Sequence, residues 1–161
     1  MEIFDEIVES IKSKLSADTL LEGINFINSY RSLPHPNPIR NPYVAIGILS
    51  VDSSYGAFGN FLGKKNGNEF YGKNCIVTIN LRIYSPKTAE GEKCSEIFSK
   101  IFDCLFLDNN FHRINKVSCK EVSFDKSSDA YYLDCFLKMN VFIGNEPEEM
   151  VISDIEVKGE I

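Results

Sequence analysis

The sequence predicts an α+β two-layer sandwich, in which two amphipathic helices lie on the one apolar face of a four-stranded sheet. A strand with a period of two over Cys75 to Tyr84, a helix-spaced apolar stripe directly after it, and a second alternating run over residues 131–143 carry this prediction. The expected element order is helix, strand, strand, helix, strand, strand, with a mostly antiparallel or mixed sheet. A chain of 161 residues is long enough for one domain with its own core.

The central strand and the helix that follows it are joined by a proline corner. Every odd position from Cys75 to Tyr84 is apolar, which is typical of a strand with one buried face. Ser85 and Pro86 are expected to end the strand and begin the helix, because proline lacks the ladder N–H but suits the first helical turn. From Thr88 onward, spacings of three and four predict a helix of roughly 19 residues. Its apolar residues are Cys94, Ile97, Phe98, Ile101, Phe102 and Leu105.

The first third of the chain contains a helix, a proline-rich connection and a strand. Helical spacing of apolar residues predicts a helix over about residues 2–16. The segment Asp18 to Asn28 fits either a short turn or an edge strand. Four of the six prolines lie between Ser29 and Pro42, so we expect an extended connection there. Tyr43 to Val51 is apolar and β-branched, which predicts a strand buried on both faces or nearly so.

A segment of roughly 20 residues before Cys75 alternates glycines with aromatic residues and is expected to be a loop. Long loops in compact domains are often functional, and exposed aromatic side chains are typical of binding surfaces. The alternative is that the rings pack onto the domain's own core. The glycines do not form a phosphate-binding motif, because no Gly-Lys-Ser/Thr ending follows them. The candidate contact residues of this loop are Tyr55, Phe58, Phe61, Phe70 and Tyr71.

The last two predicted strands follow the second helix. Asn115 to Asp125 predicts a strand with a bulge, since its apolar phase changes after Cys119. Lys126 to Asp129 is a turn, and seven consecutive odd apolar positions from residue 131 to 143 predict the last strand. The even face of the sheet is polar and partly aromatic, and we expect it to be a subunit interface. Its candidate residues are Tyr84, Tyr132, Phe136 and Phe142.

The composition excludes several classes of protein. No apolar run approaches the roughly 18 residues of a spanning helix, and the acidic first 15 residues do not resemble a signal peptide, so we expect a cytoplasmic protein. Five cysteines without a Cys-x-x-Cys pair indicate a reducing compartment. Cys75 and Cys135 are expected to be small buried hydrophobic residues. The alternative, a metal site from Cys104, Cys119 and His112, matches no zinc spacing; no cofactor or metal is expected.

Charge divides the chain into two regions. Most of the net charge of −6 comes from the end of the chain, where residues 144–161 hold six acids and one lysine. We therefore predict a single domain over 1–143 and an acidic C-terminal arm over 144–161. The arm contains the strand-forming residues Val151, Ile152, Ile155 and Val157, which fit either pairing with another chain or disorder.

No cluster of lysine and arginine predicts nucleic-acid binding, and no nucleophile or carboxylate pair predicts an enzyme.

Several stretches together resemble one family. They are Phe58 to Gly63, Tyr71 to Lys73 leading into Val77 to Pro86, then Gly91, and finally the helix with Ile97, Ile101 and Leu105. Over these stretches the chain resembles phage tail-terminator (tail-completion) proteins, which are the collar proteins of phage-tail-like bacteriocins. The resemblance covers about residues 1–143 at the level of element order.

The resemblance implies a structural protein rather than an enzyme. It implies a homo-oligomeric ring, commonly a hexamer, that binds the tail tube protein at the head-proximal end of the tube and ends its polymerisation. In contractile tails the sheath protein is a further partner, and the head–tail connector is another. Such a protein assembles in the bacterial cytoplasm and becomes part of a phage or phage-like particle. The alternatives are a small ligand- or peptide-binding α+β module, or another minor tail or connector component.

Overall fold

The computed structural model describes residues 2–29, 39–53, 61–65, 67–108 and 114–144. These residues contain two α-helices, α1 (Glu2–Ala17) and α2 (Glu92–Phe106), and two 3-10 turns, Thr19–Leu21 and Lys87–Ala89. Their seven strands are β1 (Asn25–Asn28), β2 (Tyr43–Ser53), β3 (Phe61–Lys65), β4 (Asn68–Pro86), β5 (Ile114–Cys119), β6 (Ser123–Asp125) and β7 (Ala130–Gly144). The predicted α+β class is confirmed.

The strands form one mixed sheet in the order β1-β2-β4-β7-β5, with β3 paired to β4 and β6 paired to β7. Only β1 and β2 are parallel among the described pairs. The longest pairing joins β4 to β7 without a register shift, from Gly72 opposite Gly144 to Pro86 opposite Ala130. The described residues form seven strands rather than the predicted four. β1 and β3 are additional strands, and the third predicted strand is divided into β5 and β6.

One hydrophobic core lies between the two helices and the odd-numbered face of β4 and β7. Because successive side chains of a strand alternate between faces, a run of odd apolar residues faces the helices. The strand residues of this core that are fully buried include Val77, Ile79, Leu81, Ile83, Cys135, Leu137 and Met139. α1 contributes Ile7, Val8, Ile11 and Leu15, and α2 contributes Cys94, Ile97, Ile101, Cys104 and Leu105. Both helices therefore cover one face, as predicted.

The predicted loop before Cys75 is largely a β-hairpin, so the prediction is wrong for the residues of β3 and for Asn68 to Asn74. β3 pairs antiparallel with the first part of β4, with Phe61 opposite Tyr71. At about 3.3 Å per residue, β4 is roughly 60 Å long, whereas α2 is about 22 Å long. The N-terminal part of β4 therefore extends beyond the helical layer. We call β3 together with Asn68 to Asn74 the β3–β4 ribbon.

The corner between β4 and α2 also differs from the prediction. Pro86 is the last residue of β4, and α2 begins at Glu92 rather than near Thr88. Proline is tolerated at a strand end, where a missing N–H costs little. The Ser85 hydroxyl donates to the Glu90 carbonyl oxygen at 3.1 Å, so Ser85 holds the connection together instead of capping the helix.

The third predicted strand is divided in two. β5 ends at Cys119 and β6 begins at Ser123, and both pair with β7. The change of apolar phase indicated an irregularity here, and the irregularity is a break of three residues in the strand rather than a bulge at that point. Across the break, the Lys120 N–H donates to the Asp134 carbonyl oxygen at 2.8 Å. The segment Asp18 to Asn28, for which the sequence fits either a short turn or an edge strand, contains both: the first 3-10 turn and then β1.

Candidate functional site

The four residues predicted for a subunit interface are half-buried and lie on the face of the sheet opposite α1 and α2. We call this face the helix-free face. Tyr84 is directly opposite Tyr132, Phe136 is opposite Asn80, and Phe142 is opposite Asn74. Tyr132 and Phe142 are ten positions apart, which corresponds to roughly 33 Å along a strand. The prediction of a shared face therefore holds, but the four rings do not form one cluster.

A tyrosine cluster occupies one end of this face. The rings of Tyr43 and Tyr84 stack with their centroids 4.7 Å apart, and the centroids of Tyr84 and Tyr132 are 6.4 Å apart. Tyr43 is buried, which raises its pKa far above the usual range, so its hydroxyl stays protonated at any physiological pH. Ile39 and Ala130 pack beside it and form a second, smaller core on the helix-free face.

An ion pair joins the two central strands beside these tyrosines. Arg82 Nε and Nη2 donate to the two carboxylate oxygens of Asp134 at 2.6 and 2.9 Å. The guanidinium also lies over the Tyr132 ring, 5.0 Å from its centroid. The hydrogen bond with Asp134 is the main reason that the pKa of Arg82 is raised. Asp134 is 6% exposed, so Arg82 rather than water is the main partner of its carboxylate.

Sequence reasoning found no partner for Asp134. The pairing depends on the β4–β7 register, which places Arg82 directly opposite Asp134. A signal existed, since each residue is a charged even position within an alternating strand. Without the register, however, any of several even positions could have been the partner.

A cavity of about 270 Å³ opens on the same face next to Arg82. Its lining is mostly polar and consists of Ile27, Asn28, Ser29, Ala45, Asn80, Arg82 and Tyr84. The side-chain oxygen of Asn80 is buried there and accepts no hydrogen bond from the described residues. A buried acceptor of this kind is suited to a donor from water or from a bound polar group.

The β3–β4 ribbon carries an exposed aromatic pair. Phe61 and Tyr71 are 43% and 44% exposed, and their rings meet edge to face with centroids 5.6 Å apart. The Tyr71 hydroxyl donates to Glu69 at 2.6 Å, and Lys64 forms an ion pair with the same carboxylate at 2.9 Å. These two hydrogen bonds, that of Tyr71 first, lower the pKa of Glu69. The structure thus brings together two of the five predicted contact residues.

Other predicted residues are not tested by the structure. Tyr55 and Phe58 lie outside the described residues, and of Phe70 only the backbone, in β4, is described. The whole arm after Gly144 is also outside, with its candidate residues Val151, Ile152, Ile155 and Val157.

The cysteines are dispersed over the core and one sheet edge. Cys75, Cys94, Cys104 and Cys135 are buried, and Cys119 is exposed. Burial raises the pKa of Cys94 and of Cys104 to about 11. Within the described ranges, no group of three His, Cys, Asp or Glu residues is placed to hold a metal ion. His112, the third residue of the alternative metal site, lies outside those ranges.

The helices of the described part of the chain are too short or too polar to cross a membrane.

No protein-family model matches the chain, and no curated protein matches it. Among solved structures, the chain is similar to a chain of the "Virion of native gene transfer agent (GTA) particle". The two are 10% identical with a TM-score of 0.46, and the match covers 82% of this chain and 91% of that one.

Replacing Arg82 with alanine should destabilise the fold, because it leaves the nearly buried carboxylate of Asp134 without its cation. We expect the free energy of unfolding to fall by about 2–4 kcal/mol, which is less than for a wholly buried pair because the Arg82 side chain is 42% exposed. Arg82→Lys should lose less, since it keeps the charge but not the two parallel hydrogen bonds. Urea unfolding gives the free energy of unfolding of the unaltered protein and of each variant. Lys138→Ala, an exposed position on the same face, is the control and should change stability by less than about 0.5 kcal/mol. An Arg82→Ala protein as stable as this control would contradict the assigned role.

Proposed function

We propose that the protein is a structural assembly component that forms a ring on the head-proximal end of a phage or phage-like tail tube and ends its polymerisation. The sequence resemblance suggests this role, and the α+β fold agrees with it. The observation that carries the proposal is the exposed Phe61–Tyr71 pair on a ribbon that extends past the helices. Large exposed aromatic side chains at one place are typical of a surface that binds another protein.

A tube of stacked identical rings needs such a component to stop growing. Each added ring regenerates the surface that binds the next one, so growth ends only when a different protein binds that surface without copying it. The β3–β4 ribbon is suited to this contact because it reaches beyond the body of the domain. Phe61 and Tyr71 supply aromatic anchors, and Tyr55, Phe58 and Phe70 belong to the same proposed contact.

The helix-free face is proposed as the contact between subunits of the ring. Its tyrosine cluster, Arg82 and Phe136 are of the residue types that are enriched in protein interfaces. Apart from the buried Tyr43, the rings of this face are half-buried rather than packed under a helix, so they retain surface for a second copy. A contact that joins one patch to a different patch of the next copy closes into a ring when its rotation allows.

The acidic arm is proposed to pair with an exposed strand edge of a neighbouring subunit or of a sheath protein. β7 ends at Gly144, directly opposite Gly72, so the last described residue before the arm's candidate strand lies beside the β3–β4 ribbon. Its strand-forming residues are suited to adding a strand to such an edge. The arm and the ribbon would then act at the same end of the domain.

A small-ligand- or peptide-binding module is the second candidate, and the cavity beside Arg82 favours it. The buried oxygen of Asn80, which has no partner among the described residues, would accept a hydrogen bond from a ligand. The lining is mostly polar, however, whereas sites for small molecules are predominantly apolar. A module of this kind would be a monomer or a dimer.

Replacing Phe61 and Tyr71 together by serine should leave a folded protein that no longer caps tubes. Both side chains are exposed, so their loss removes contact surface without opening the core. The measurement is the length distribution of tubes grown with the variant, read by electron microscopy, alongside the circular dichroism and unfolding of the variant. Leu20→Ser is the matched control, because Leu20 is 61% exposed but lies in the first 3-10 turn, among the helical elements. Normal tube lengths with the double variant would contradict the ribbon contact.

The full chain should form a closed ring at micromolar concentration, measured by native mass spectrometry. Phe136→Ser should shift the population to monomers by removing a ring from the helix-free face. Phe124→Ser is its control, since Phe124 is 37% exposed but pairs with Tyr131 on the helical side. Deleting residues 146–161 should weaken the ring or its docking. A monomer or dimer of the full chain that binds a small ligand would favour the second candidate instead.

A further inference from the structure

Cys119 on the edge strand β5 lies directly opposite Cys135 on β7. The Lys120 N–H donates to the Asp134 carbonyl oxygen at 2.8 Å, so positions 120 and 134 form a hydrogen-bonded pair. Since such pairs alternate along an antiparallel ladder, Cys119 and Cys135 form a non-hydrogen-bonded pair. The Cα atoms of these pairs are about 4.5 Å apart, with both side chains on one face. That spacing is within the roughly 4.4–6.8 Å that a disulfide spans.

The two thiols differ in access. Cys119 is exposed, whereas Cys135 has no exposed surface. Burial raises the pKa of Cys135 well above the usual range of a thiol, so it is a poor first nucleophile. An oxidant in solution therefore meets Cys119 first.

Cys94 is the other thiol that could compete. It lies on α2 and is fully buried, and its thiol donates to the Ile83 carbonyl oxygen at 3.8 Å. It is on a different element from β5 and is not its cross-strand neighbour. The geometry therefore distinguishes Cys135 from Cys94 as the partner of Cys119.

We propose that Cys119 and Cys135 form a cross-strand disulfide when the protein meets a disulfide oxidant such as glutathione disulfide. The Cys119 thiolate attacks one sulfur of the oxidant, an S–S bond forms to Cys119, and the first glutathione leaves with the electron pair of the broken bond. The Cys135 thiolate then attacks the Cys119 sulfur and releases the second glutathione. Two protein thiols lose two electrons and two protons, and one glutathione disulfide becomes two glutathione molecules.

The link would fasten the edge strand β5 to the central strand β7. It closes the loop over residues 120–134, which contains β6, and closing a loop restricts the unfolded chain. If the proposed function is right, the thiols stay reduced during assembly in the cytoplasm and the link forms after the particle is released. That consequence rests on the proposed function, whereas the link itself does not.

The test uses the isolated, folded full chain. The protein is incubated with glutathione disulfide, free thiols are blocked with N-ethylmaleimide, and intact mass and non-reduced peptides are measured. We expect a glutathione adduct first. Later, in a sample without the blocking step, the chain should be about 2 Da lighter than the reduced one, with Cys119 joined to Cys135. The oxidised protein should also have a higher Tm than the reduced one.

Three variants make the result decisive. Cys119→Ser should form neither the adduct nor the link, and its exposed position keeps the fold intact. Cys135→Ser, or Cys135→Ala if the serine variant does not fold, should stop at the adduct. Cys94→Ala should form the link as the unaltered chain does. A wild-type chain that stops at the adduct, or that joins Cys119 to Cys94, would overturn the proposal. Because no tube is present, neither result depends on whether the protein caps tails.

Discussion

The uninterrupted antiparallel pairing of β4 with β7 is the constraint on which the rest of the structure depends. It extends from Gly72 opposite Gly144 to Pro86 opposite Ala130 without a shift. A slip of one residue would move every apolar side chain of one strand to the helix-free face, so burial of the odd positions fixes the register. The helices then cover the odd face of β4 and β7, β2 and β5 extend the sheet on either side, and neither described helix covers the even face.

The parts of the fold that depend on local periodicity could be predicted from the sequence. Both helices, the strands around Ile79 and Leu137, and the two-layer arrangement follow from spacings of two, three and four residues. Pairings between distant residues could not be predicted, because the register is a property of two strands together. The ion pair of Arg82 with Asp134 and the opposition of Cys119 and Cys135 are of this second kind.

The incorrect predictions have local causes. The β3–β4 ribbon lacks a period of two, since glycines interrupt its apolar positions, so it resembled a loop. Its turn contains Gly67 with a φ of +84°, a backbone conformation that favours glycine and that reverses the chain here. At the corner before α2, proline at a strand end and proline at a helix start have the same local signature. Gly91 is the N-cap of α2 and packs beside Val122, since an added Cβ would lie 2.8 Å from the valine.

These features support the proposal of a protein that acts by binding other proteins. In the proposed function, the aromatic pair contacts the tube and the tyrosine face contacts a second copy. The proposed role is that this protein sets where tail growth stops. It is tested by electron microscopy of particles made without the gene. We expect tubes that are over-long or unstable at the head-proximal end, with normal length restored by the full chain supplied in trans. Tubes of normal length with intact ends in the absence of the protein would contradict it.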